Sequence, residues 1–184
     1  NVPPLRLAFL GSLRQNNAIY ESIDATYYCL QADMQVELHI IGSGPEENRV
    51  RDYIKKKKMS KAITLHGFVD EGKKIAAILS QCHLGLALYP ADPYSPNWYL
   101  TSGKFRRYIS QRLPVVVSTV PYFAKYIHDY HAGIIVDNNS DEVRRALQQI
   151  YDKPTILNEL QVGVDKLYNM YKADTILKTV FNGM

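Results

Sequence analysis

Apolar residues come along this chain in two alternating rhythms. Short runs closed by glycine or proline are separated by longer stretches in which apolar positions recur every three or four residues. The first rhythm fits strands buried on both faces and the second fits helices packed on them. The alternation therefore predicts repeated strand-helix units around a mainly parallel sheet. Six runs read as strands, at 5–11 (LRLAFLG), 36–42 (VELHIIG), 63–67 (ITLHG), 84–89 (LGLALY), 115–119 (VVVST) and 132–137 (AGIIVD). Helices are expected over 17–32, 46–58, 73–81, 102–111, 122–130 and 141–151. A last, tyrosine-rich helical region at 156–181 reads as interrupted near Gly163. In the helix over 102–111, Phe105, Tyr108 and Ile109 make an apolar stripe, while Lys104, Arg107 and Gln111 line another.

In an open parallel sheet, ligands bind outside the carboxyl ends of the strands, because loops and helix N-termini converge there. That rule gathers four motifs on one edge. Gly11-Ser12-Leu13-Arg14 leaves the first strand through a glycine, so its amides can approach a ligand with Arg14 above; a tight turn with a solvated arginine is the alternative. Gly42-Ser43-Gly44-Pro45 supplies two glycines of a dinucleotide fingerprint, but Glu47 stands where the third belongs, which favours a structural turn with Pro45 starting a helix. His66-Gly67-Phe68-Val69 offers free backbone groups beside an exposed aromatic. Ser102-Gly103-Lys104 opens a helix whose N–H groups and dipole favour an anion, with Lys104 adding a charge; an ordinary capped helix is the competing reading. It is not a Walker A loop, because Trp98 and Phe105 replace that loop's first glycine and its hydroxyl residue.

Composition narrows the choices further. The 184 residues fit one domain, and 46% apolar content is enough for a core without staples. A net charge of +4 falls short of the clustered excess of nucleic-acid binders but suits small anions. Cys29 and Cys82 sit in helical patterns without metal-ligand spacing, so reduced thiols in a cytosolic compartment are expected. His128 and His131 lack a third ligand nearby, so no metal site is expected. The lysine run 55–58 ends a helix, where positive charge complements the dipole. No apolar run reaches membrane-spanning length, and no signal peptide is visible; the Pro3-Pro4 pair resembles a stiff interdomain link. A receiver-like domain is disfavoured, since no acidic cluster follows the first strand.

Taken in order, FLGSL, IIGSGPEE, ITLHGFV, SQCHLGLALYP, SGKFRRYISQRLPVVVST and HAGIIV resemble the C-terminal, donor-binding domain of GT-B glycosyltransferases of the retaining group 1. The resemblance runs from Leu5 to Ile150 and implies a Rossmann-like three-layer α/β/α fold over 1–184, with a C-terminal helical segment at 154–184. It also implies the C-terminal half of a two-domain protein, whose N-terminal domain binds a glycan or lipid-linked acceptor. The implied activity is retaining glycosyl transfer from a nucleotide-diphospho-sugar in polysaccharide or glycoconjugate assembly, with no metal or other cofactor and no nucleic acid partner. The implied location is cytoplasmic, including the inner face of the membrane.

By this resemblance Gly11, Ser12, Arg14, Ser102, Gly103 and Lys104 flank the diphosphate, while Gly67, Phe68 and Val69 receive the base. The loop from Pro90 to Thr101 would shape sugar choice. The chain departs from the family pattern at charged positions. Ser12 replaces an arginine and Asn17 a lysine, and Arg107 occupies the place of a carboxylate that accepts ribose hydroxyls. An arginine accepts no hydrogen bond, so Arg107 is expected to turn toward the diphosphate. The same departure keeps a second reading open: a non-catalytic nucleotide-binding or scaffolding module that retains the half-fold.

Overall fold

The computed structural model of the protein describes residues 4–70, 72–90, 103–120 and 122–181. Its strands are β1 (Leu5–Leu10), β2 (Val36–Ile41), β3 (Ile63–Gly67), β4 (Leu84–Ala87), β5 (Val115–Ser118) and β6 (Gly133–Val136). The helices are α1 (Ile19–Gln31), α2 (Glu47–Lys56), α3 (Gly72–Leu79), α4 (Gly103–Ser110), α5 (Ala124–Tyr130), α6 (Ser140–Asp152) and α7 (Thr155–Phe181). A 3-10 turn at Gln15–Asn17 precedes α1. Each expected strand forms, and all pair in parallel in the order β3-β2-β1-β4-β5-β6. This is the doubly wound order, and the chain reverses direction across the sheet between β1 and β4.

Alternate residues of each central strand serve opposite layers. Leu7 and Phe9 face α1, α2 and α6, while Ala8 and Leu10 face α3, α4, α5 and α7. Fully buried side chains such as Leu7, Phe9, Leu38 and Ile40 each contribute roughly 1.5–3 kcal/mol through removal from water. The result is a Rossmann-like three-layer α/β/α sandwich.

Three local expectations are corrected. Helix α7 runs unbroken through Gly163. The glycine is there because a Cβ at this point would overlap the carbonyl oxygens of Tyr130 and His131 at the end of α5, so it permits contact rather than a break. Pro45 lies in a turn two residues before α2 instead of at its first position. Lys57, expected only to complement the dipole at the end of α2, also pairs across to α1: its ammonium lies 2.9 Å from the Asp24 carboxylate and 4.1 Å from the centre of the Tyr27 ring.

Candidate functional site

The carboxyl edge of β1 is built by backbone bonds that knit three loops together. Gly11 N–H donates to Ile41 O at 3.0 Å, Leu13 N–H to Ser43 O at 3.0 Å, and Gly42 N–H to Gly67 O at 2.8 Å. Gly42 is required by this closeness, since a Cβ there would overlap the Gly11 carbonyl. The expected structural role of the second motif therefore holds. Within the first loop, Asn17 donates its side-chain amide to Ser12 O at 2.7 Å. The residue standing in the place of a family lysine thus closes the loop. Exposed Arg14 folds back, donating from Nε to Ser12 Oγ at 3.2 Å.

The third loop is tethered as well. His39 Nδ1 and His66 Nε2 lie 3.0 Å apart with their rings stacked. Burial holds both imidazoles below the ordinary histidine pKa, so at neutral pH one neutral ring donates to the other. His66 sits at a register shift between β2 and β3, and Gly67 follows with φ +68°, turning Phe68 out into solvent with 74% of its surface exposed.

Helix α4 starts at the opposite wall, and its first turn differs from the amphipathic pattern. Phe105, Tyr108 and Ile109 are buried as that pattern predicts. Lys104, however, does not lie on a solvated stripe. Its stem is partly exposed, yet its Nζ is fully buried and, among the described residues, has no hydrogen-bond partner. The ammonium lies 4.5 Å from the Tyr89 ring centre and 5.1 Å from that of Phe9, and a methyl on Gly11 would stand 3.7 Å from it. Burial lowers its pKa to about 8.

Between these walls lies a cleft of about 380 Å³. Of the residues singled out from sequence, Gly11, Ser12, Phe68, Val69 and Arg107 line it. Lys104 stands behind Gly11, Gly67 turns Phe68 out, and Gly103 is exposed at the start of α4. Arg14 does not line the cleft, and Ser102 and residues 91–101 of the loop expected to shape sugar choice lie outside the described residues. Leu10, Ile41, Gly42, Ser43 and Ile75 complete the wall. Ser43 was legible as the middle of a glycine turn, whereas Ile75 reads in sequence as one more core position on a helix. Arg107 is exposed, near the start of α3: a methyl on Gly72 would lie 3.9 Å from its Nη1.

No acidic side chain is among the described residues lining the cleft, so its charge is positive and suits an anion. No group of three metal-ligating side chains occurs among the described residues. His128 instead faces Asp129, with Nδ1 3.2 Å from the carboxylate. No helix of the described residues is long and apolar enough to cross a membrane.

The likenesses of the chain agree with this architecture. The family described as glycosyl transferases group 1 matches residues 4–153. Among solved structures, WaaG, a glycosyltransferase involved in lipopolysaccharide biosynthesis, is 15% identical with a TM-score of 0.72 over 92% of this chain and 44% of its own. The C-terminal domain of LpcC from Francisella tularensis, a glycosyl transferase group 1 family protein, is 15% identical with a TM-score of 0.75, covering 92% of this chain and 88% of that domain. HepE of Anabaena, solved in complex with UDP, is 12% identical with a TM-score of 0.74, covering 98% of this chain and 49% of its own. The chain thus spans less than half the length of WaaG and HepE. No curated protein sequence matches it. With the family match running over most of the chain and the doubly wound sheet of GT-B proteins beneath it, this protein belongs to the group 1 glycosyl transferases.

Proposed function

We propose that this chain is the donor-binding half of a retaining glycosyltransferase. In this reading it holds a nucleotide-diphospho-sugar whose sugar is passed to a glycan or lipid-linked acceptor on an N-terminal domain of the same protein. The observation that carries the reading is Lys104. An ammonium buried without a partner among the described residues, at the head of α4 and against the Gly11 loop, is unfavourable alone and becomes favourable when an anion arrives. A diphosphate at that point would accept from the N–H groups at the start of α4 and from Lys104, with Ser12 beside it. The base would lie along Phe68 and Val69, on the apolar side formed by Ile41 and Ile75. The lengths of WaaG and HepE support a second domain in the whole protein.

Calorimetry on the full-length protein with a panel of nucleoside diphosphates and nucleotide sugars tests this. At least one should bind, and Lys104→Ala should weaken it by about tenfold or more, the scale of a lost charge-assisted bond. Unchanged affinity in that variant would remove Lys104 from the site. The 184-residue piece alone should bind without turning over donor, since acceptor binding and closure need the other half. The lack of a carboxylate among the described lining residues favours one competing reading, a module that binds nucleotide without transfer. Full-length protein that binds donor tightly yet neither hydrolyses nor transfers it would favour that reading.

A further inference from the structure

The crevice where the sheet reverses direction is spanned by one phenol. Strand β1 stays paired with β2 through Leu10 and Ile41, but its pairing with β4 ends at Phe9 and Leu86. Beyond that point the Tyr108 hydroxyl stands between the strands. Leu10 N–H donates to it at 2.8 Å, and it lies 3.1 Å from Ala8 O and 3.2 Å from Leu86 O. A single hydroxyl proton serves these two carbonyls, so the group bridges β1 and β4 where a direct strand bond would otherwise form.

Space is reserved for it. The Tyr108 ring is fully buried over Gly85 of β4, where a Cβ would come within 2.8 Å of the ring. The hydroxyl is hydrogen-bonded to both strands, so its place in the core is satisfied, and it stands where β1 and β4 part. Just beyond that point Leu10 and Gly11 line the cleft. Tyr108 also lies one turn after Lys104 on the same face of α4, so its anchorage fixes where that ammonium rests against the Gly11 loop.

We infer that Tyr108 is a positioning residue of the proposed donor cleft, holding β1 and β4 apart so that the Gly11 loop and Lys104 meet the same anionic group of a ligand. The inference rests on the donor-site reading above, and its test separates the two. The probe is whichever of UDP, GDP and ADP binds the wild-type full-length protein most tightly. Tyr108→Phe, which keeps the ring, should weaken that nucleotide about tenfold, the scale of one lost hydrogen bond in a preorganised site. Ile150→Val, a core truncation on the opposite face of the sheet, should lower the melting temperature yet leave affinity within twofold. In nuclear magnetic resonance spectra the Gly11 amide signal should move in Tyr108→Phe and stay in Ile150→Val.

If Tyr108→Phe fails to fold, the wild-type protein still decides. The ring signals of Tyr108, which is not among the residues lining the cleft, should shift when nucleotide saturates it, and unmoved signals would overturn the inference. Full affinity in a folded Tyr108→Phe would also overturn it while leaving the donor site intact. Failure of the wild type to bind any of the three nucleotides would overturn both.

Discussion

Lys104 sets stability and binding against each other. Its ammonium is buried without a partner among the described residues, and burial lowers its pKa from the ordinary 10.5 to about 8. In the unfolded chain it returns to the ordinary value, so between pH 8 and 10.5 the folded state holds fewer protons and stability rises with pH. Below pH 8 the burial cost is fully present, roughly 3 kcal/mol. Lys104→Met, whose side chain suits contact with Phe9 and Tyr89, should therefore stabilise the ligand-free protein by about 1–3 kcal/mol and abolish the rise above pH 8. Denaturant titrations at pH 7 and pH 9.5 read both effects. Binding carries the opposite sign: an anion raises the lysine pKa, so nucleotide affinity should fall as pH climbs past 8. Calorimetry in buffers of different ionisation enthalpy would register the proton taken up.

Helix α7 shows how an element-level pattern can mislead. Glycine inside a helical stretch normally costs about 1 kcal/mol relative to alanine, which makes it read as a break. Here Gly163 is the contact that seats α7 on the end of α5, with the Tyr130 and His131 carbonyls where a Cβ would project. Gly163→Ala should therefore destabilise the protein by about 1–3 kcal/mol, because overlap with fixed backbone outweighs the gain in propensity. Thermal melting measures it, and a raised melting temperature would show α7 to be free to shift. In α4, by contrast, the apolar stripe of Phe105, Tyr108 and Ile109 packs as its spacing requires, with Phe105 stacked on Phe123 at 4.2 Å between ring centres.

At the scale of the whole molecule, the sheet separates the two cysteines. Cys29 belongs to the layer of α1 and Cys82 to the layer of α3, and both are buried. Burial pushes the Cys29 thiol up to about 12 and the Cys82 thiol to about 11, so neither forms a thiolate near neutral pH. Native protein should resist a thiol reagent such as Ellman's, and both cysteines should react once guanidinium unfolds the sheet. Rapid labelling of either in the native state would reveal local opening of its layer.

The elements and their alternation were settled by the sequence itself, because burial on both faces makes strands into apolar runs and helices into spaced stripes. The neighbourhood of the cleft followed from the same pattern, since glycine-rich turns at the ends of successive strands of a parallel sheet fall on one edge. Gly11, Ser12, Phe68 and Val69 were legible for that reason, and Arg107 through the family resemblance. What only the tertiary structure decided depends on approaches between distant segments. Tyr108 meets Leu10 across 98 residues of chain, and nothing local to either marks the meeting. Lys104 turned inward because β1 and α4 converge on one crevice, while Arg14 was drawn aside by Ser12. Spacing specifies which face of an element is apolar; the position of a charge relative to a ligand is fixed only when two such faces are brought together.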